Sequence, residues 1–122
     1  MFRCNVHLAA YSVVMTFVNV GSLGALPGKR DDLVAFLTRR NGVLADAGCV
    51  QYDVGVNPEE PDTVYVVELW TSAQAHRASL DLPEVRAVIE SARPLLSGQF
   101  GGFQFDVVGS PLVGAPDAGA SS

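Results

Sequence analysis

The sequence predicts a ferredoxin-like α+β sandwich, in which an antiparallel sheet carries both of its helices on one face. Three observations lead there. The apolar periodicity switches between two and about 3.6 in the order β-α-β-β-α-β; a Pro- and acid-rich loop joins the two central strands as a hairpin; and 122 residues leave room for one core. With 48% apolar and 17% charged residues the chain is not a disordered acidic polymer. Eight Lys and Arg against 13 Asp and Glu, a net charge of −5, exclude the clustered basic surface that nucleic-acid binding requires.

Residues 1–14 read as an N-terminal extension within which strand one can begin, 15–109 as the folded domain and 110–122 as a Pro/Gly-rich disordered tail. Leu8–Val20 after Arg3 has the composition of a signal-peptide core, but cleavage near Ala25 would remove the best strand at this end. Val13, Val14, Thr16, Phe17, Val18 and Val20 form that strand, and Leu26-Pro27-Gly28 turns out of it. Leu33, Phe36, Leu37, Leu44 and Ala47 share one helical stripe. Asp31 and Asp32 in its first turn and Arg39–Arg40 later suit the macrodipole, and Gly48 ends the helix.

Strand two alternates, with Val50, Tyr52, Val54 and Val56 on one side. Asn57–Asp62, with two prolines, is the hairpin loop. Thr63–Trp70 is strand three, with Val64, Val66, Glu68 and Trp70 on one face and Tyr65, Val67 and Leu69 on the other. Thr71 or Ser72 caps a short helix through Leu80, and Pro83 opens another along Val85, Val88, Ile89 and Ala92. Gln99–Val108 is strand four, with Phe103, Phe105 and Val107 on one face. Strand three is therefore apolar on both faces, although helices can cover only one. Burying the other at about 25 cal/mol per Å² is worth several kcal/mol, which predicts a two-fold homodimer with facing sheets.

Gly48-Cys49-Val50-Gln51-Tyr52 at the start of strand two, Glu68-Leu69-Trp70-Thr71-Ser72 at the end of strand three, Pro27-Gly28-Lys29 before helix one and Leu80-Asp81-Leu82-Pro83 resemble the antibiotic biosynthesis monooxygenase family. The resemblance spans about residues 15–109. It implies a dimeric α+β barrel and a cofactor-independent monooxygenase acting with O₂ on a quinol, anthrone or related phenol. In anthrone-oxidising members a Trp ending strand three, an Asn four residues before it and a Tyr six residues after it face the pocket. Their counterparts are Trp70, Val66 and His76, with Arg86 matching an Arg on the following helix. The amide is lost at Val66. Haem-degrading members need an Asn, a Trp and a His where this chain has Gly21, Ser79 and Ile89, so haem degradation is not implied.

Such chemistry needs no metal or flavin if a base can turn the substrate into an electron-rich anion that passes an electron to O₂. His76 suits the base, since imidazole is the side chain that titrates near neutrality. Trp70 offers an aromatic wall and an N–H donor, and Glu68 can orient His76, act as base itself or pair with Arg86. Asn19 in strand one is a further pocket candidate. The catalytic set is thus His76, Trp70 and Glu68, and the substrate-binding set is Asn19, Val66 and Arg86, with no metal ligands and no cofactor.

Other sites fail on their residues. Gly24–Arg30 lacks the first Gly and the Ser/Thr of a phosphate loop; no Gly-x-Gly-x-x-Gly or Gly-x-Ser-x-Gly occurs; and Cys4 and His7 lack a second close ligand pair for zinc. Two cysteines are too few for a disulfide framework, which with the lack of an unbroken apolar span predicts a reducing, cytoplasmic setting without membrane contact. Two other activities fit the same residues: a non-catalytic ligand-binding dimer, and an isomerase or cyclase acting on a small carbonyl compound.

Overall fold

A computed structural model describes residues 16–112. The expected extension over 1–14, the Cys4/His7 pair and the tail from 113 lie outside the described residues. Strand β1 (Phe17–Ala25) leads through the Pro27–Gly28 turn into α1 (Arg30–Leu37) and α2 (Gly42–Asp46). Strands β2 (Cys49–Val56) and β3 (Thr63–Trp70) follow, then α3 (Ala73–Ser79), α4 (Pro83–Ala92), a 3₁₀ turn over Arg93–Leu95, and β4 (Leu96–Asp106).

All pairings are antiparallel and the sheet order is β2-β3-β1-β4. The expectation of a ferredoxin-like sandwich closed into a dimeric α+β barrel is corrected here. The described residues form one open four-stranded antiparallel sheet with flanking helices, and its outer strands β2 and β4 remain unjoined. Four strands rotating by roughly 20–25° each accumulate too little turn to close on themselves, whereas small barrels use about eight.

Leu33 of α1, Val64 of β3, Ala25 of β1 and Ala92 of α4 form the buried core, against which Leu23, Phe36, Leu37 and Leu96 pack. This places the helices over the sheet face that carries Val64, Val66 and Trp70. On the opposite face Val67 is exposed, as are Phe103 (62%) and Phe105 (46%), whose rings stack at 6.2 Å. The two-sided apolar character expected of β3 thus extends across β4.

Two local expectations change. The first helical stripe is broken: Thr38 Oγ1 donates to the Val34 carbonyl (2.8 Å), ending α1, and Asn41 Oδ1 accepts from Val43 N to start α2. Arg39 and Arg40 therefore lie between helices, not on one. In β2 the register slips between Cys49 and Gln51, so Val50 is the extra residue of a bulge and is 60% exposed, off the face shared by Tyr52 and Val54. Gly48, at φ 110°, ends α2 as expected, and its carbonyl accepts from Thr71 N at 2.9 Å. That bond ties the end of α2 to the end of β3, beside Trp70.

Candidate functional site

Register places one polar row across all four strands. Tyr52 of β2 pairs with Glu68 of β3, Glu68 with Asn19 of β1, and Asn19 with Gln104 of β4. Successive side chains alternate between faces, so these four share the helix-covered side with the apolar ranks next to them. Glu68 Oε2 accepts from Asn19 Nδ2 (3.0 Å), and Asn19 Oδ1 accepts from Gln104 Nε2 (3.0 Å). Glu68 Oε1 accepts from Trp70 Nε1 at 2.9 Å. Both oxygens of this half-buried carboxylate thus have a donor, which offsets the cost of withdrawing it from water.

His76 reaches the same carboxylate from above. Ser72 caps α3 by accepting from Ala75 N, which turns the first helical turn back over the end of β3. The imidazole, in a residue only 8% exposed, sits edge-on to Trp70 (centroids 5.3 Å apart, 65°) and tilted against Phe17 (5.5 Å). Its Nε2 lies 4.0 Å from Glu68 Oε1, beyond a hydrogen bond, so protonation of the ring would turn a contact into an ion pair. Nδ1 is buried and has no hydrogen-bond partner.

These side chains line a groove of about 1020 Å³ between sheet and helices. Its floor next to the polar row is the rank Val66–Gly21–Gly102, where two residues without side chains leave the sheet flat. Gly102 has φ 138°, and a Cβ there would meet the Val20 carbonyl oxygen at 2.1 Å, so no other residue fits without moving β1. Phe100 and Leu23 continue the apolar lining.

Burial, and then the neighbouring charge of Glu68, pushes the Tyr52 hydroxyl up to about 12. The Cys49 thiol is raised by the same two causes in the same order, against its hydrogen bond to the Gln51 carbonyl. Tyr52 therefore stays a neutral donor at physiological pH. Among the described residues its hydroxyl makes no hydrogen bond, which leaves it, His76 Nε2 and the Gln104 amide oxygen as polar atoms of the groove free to meet a ligand.

Of the residues singled out in the sequence, His76, Trp70, Glu68, Asn19 and Val66 all line this groove. Arg86 does not; it faces solvent and pairs with Asp81 at 3.3 Å, not with Glu68. Trp70 is 1% exposed and its N–H is spent on Glu68, so it braces the carboxylate and supplies no free donor. Gln104 and Tyr52 line the groove as well, although neither stands out in the sequence as a site residue. Tyr52 stood in the Gly-Cys-x-x-Tyr motif without a role, and Gln104 was hidden between two phenylalanines of the other face. Among the described residues no three His, Cys, Asp or Glu side chains converge as metal ligands, and no helix is long and apolar enough to cross a membrane.

Residues 16–91 match the family profile described as antibiotic biosynthesis monooxygenase. A solved structure from Chloroflexus aurantiacus, assigned to antibiotic biosynthesis monooxygenases, is similar at 33% identity over 78% of this chain and 95% of that one, with a TM-score of 0.63. SnoaB from Streptomyces nogalater, a cofactor-independent oxygenase solved as a point variant, shares the fold at 14% identity over 79% and 96% of the two chains, with a TM-score of 0.65. A protein from Deinococcus radiodurans shares it at 19% identity over 77% and 94%, with a TM-score of 0.62. No curated protein matches the sequence.

Proposed function

The chain belongs to the antibiotic biosynthesis monooxygenase family, and on that premise we propose that it is a cofactor-independent monooxygenase oxidising a quinol, anthrone or related phenol with O₂. The observation that carries this reading is the Glu68 carboxylate, held by Asn19 and Trp70 and facing His76 Nε2 at 4.0 Å over a flat, glycine-floored groove. A planar polycyclic ring fits such a floor, and a phenolic or enolic oxygen at its edge would meet His76.

In this reading His76 Nε2 removes the proton, and the fixed negative charge of Glu68 stabilises the imidazolium that results. Tyr52, held neutral, donates to the oxygen that keeps the negative charge. The anion reduces O₂, one oxygen atom enters the ring carbon and the other leaves as water, with the two hydrogens of that water coming from the substrate. Val66, where anthrone-oxidising members have an amide, gives the ring an apolar contact instead of a donor, so charge stabilisation falls to Tyr52. We further read the partner state as a homodimer that covers the exposed face around Val67, Phe103 and Phe105, and the setting as cytoplasmic.

Oxygen uptake with a panel of anthrones and hydroquinones tests the proposal. Stoichiometric O₂ consumption that is lost in His76→Ala is expected. Substrate loss under argon would replace it with an isomerase or cyclase, and binding without turnover would leave a ligand-binding protein.

A further inference from the structure

We infer that Arg39 and Arg40 form an anion subsite that receives the carboxylate of an extended aromatic ligand whose rings occupy the groove over Glu68. The inference rests on the reading above and narrows its substrate class. Because Thr38 and Asn41 interrupt the helix, the arginine pair projects from a linker, and the last turn of α1 contains no basic residue. The pair thus stands just beyond the C-terminal end of α1 and not on a helical face.

The linker borders a second groove of about 930 Å³ between β2 and α4. Leu37, Asn41, Leu44, Tyr52 and Val88 line both grooves, so the two hollows adjoin at these residues. Each approaches or exceeds the upper size of a site for a drug-sized ligand, roughly 1,000 Å³, which is more room than a single phenolic ring needs. A multi-ring ligand seated beside Tyr52 in the first groove would extend its far end toward Arg39 and Arg40 in the second.

The arginines have no acidic partner. Lys29, Arg30, Arg86 and Arg93 each form an ion pair, whereas among the described residues Arg39, Arg40 and Arg77 form none, and of these three only Arg39 and Arg40 line the second groove. Asp53 and Glu84 line the same groove, but Asp53 takes the Gln51 amide and Glu84 sits in the first turn of α4, where the helix dipole favours it. The Arg39 guanidinium lies 4.7 Å from the Phe36 ring centroid, which orients its planar fork. A carboxylate is the group such a fork binds in two parallel hydrogen bonds.

The chain has one tryptophan, Trp70, and it lines the ring-binding groove, so its fluorescence reports occupancy without turnover. Titration with anthraquinone-2-carboxylate and with its uncharged methyl ester is expected to quench Trp70, the carboxylate binding about tenfold more tightly at low salt. That preference should disappear in Arg39→Gln/Arg40→Gln, shrink with added salt, and persist in Arg77→Gln. Equal affinities for acid and ester in the parent protein, or a preference unchanged in the double variant, would overturn the subsite alone. Failure of both ligands to quench would overturn the aromatic-groove reading and the subsite with it.

Discussion

Asn19 and Glu68 face each other across the β1–β3 register and are joined by a 3.0 Å hydrogen bond in which the amide donates. The amide oxygen of Asn19 is turned the other way by Gln104, so the asparagine has one orientation open to it. An edge strand thereby sets the direction of a carboxylate two strands away. The candidate base does not touch this chain of bonds directly; it faces its end.

Asn19→Leu should lower stability by about 1–3 kcal/mol, because it leaves a half-buried carboxylate oxygen without its donor. Gln104→Ala, removing only the outer link, should cost less than about 1 kcal/mol while loosening Asn19. Urea unfolding of both variants checks this. Equal costs would mean that the outer link matters as much as the bond to Glu68.

Glu68→Gln keeps the size of the side chain but removes the charge opposite His76. If Glu68 stabilises the imidazolium, kcat should fall at least about tenfold with little change in KM, whereas His76→Ala should remove about 10²–10⁴-fold. Steady-state oxygen uptake separates the two. A rise in KM alone for Glu68→Gln would assign the carboxylate to binding.

Tyr52 supplies a pH dependence whose sign can be worked out. Its folded-state ionisation is pushed up from 10 to about 12, so the folded protein holds the proton that the unfolded chain releases first. The associated stability is complete below pH 10 and is lost as pH rises toward 12, by an amount on the order of 2 kcal/mol. Thermal unfolding of the parent protein should therefore decline over that interval more steeply than that of Tyr52→Phe. Parallel declines would show that Tyr52 ionises like an exposed phenol.

Gly102→Ala should cost on the order of 3 kcal/mol, since its Cβ would run into the Val20 carbonyl at a backbone angle that other residues avoid. Gly55→Ala, where a Cβ meets nothing within 4 Å, is the matched control and should be close to neutral. Hydrogen exchange along β4 should rise in the first variant and not in the second.

The residues that gather at the candidate site were legible in part because strand alternation names a face. Val66, Glu68 and Trp70 repeat every second residue, so one inward position implies the others. His76 came from the family resemblance, which sets it where anthrone-oxidising members have a tyrosine, and from imidazole's titration near neutrality. Arg86 was placed from a helix beyond a loop of different length, and it turned instead to Asp81. Gln104 had no signal of its own, since only pairing with β1 brings it beside Asn19.

Local chemistry by itself therefore determined the elements: alternation for the strands, Thr71 or Ser72 and Pro83 for the helix starts, and Gly48 for a helix end. The tertiary structure decided which residues meet. The β2 bulge, the open sheet and the row from Tyr52 to Gln104 all depend on pairings between distant segments. A period of two specifies the face of a strand but not its partner, and partner and register are set by the packing of the whole sheet.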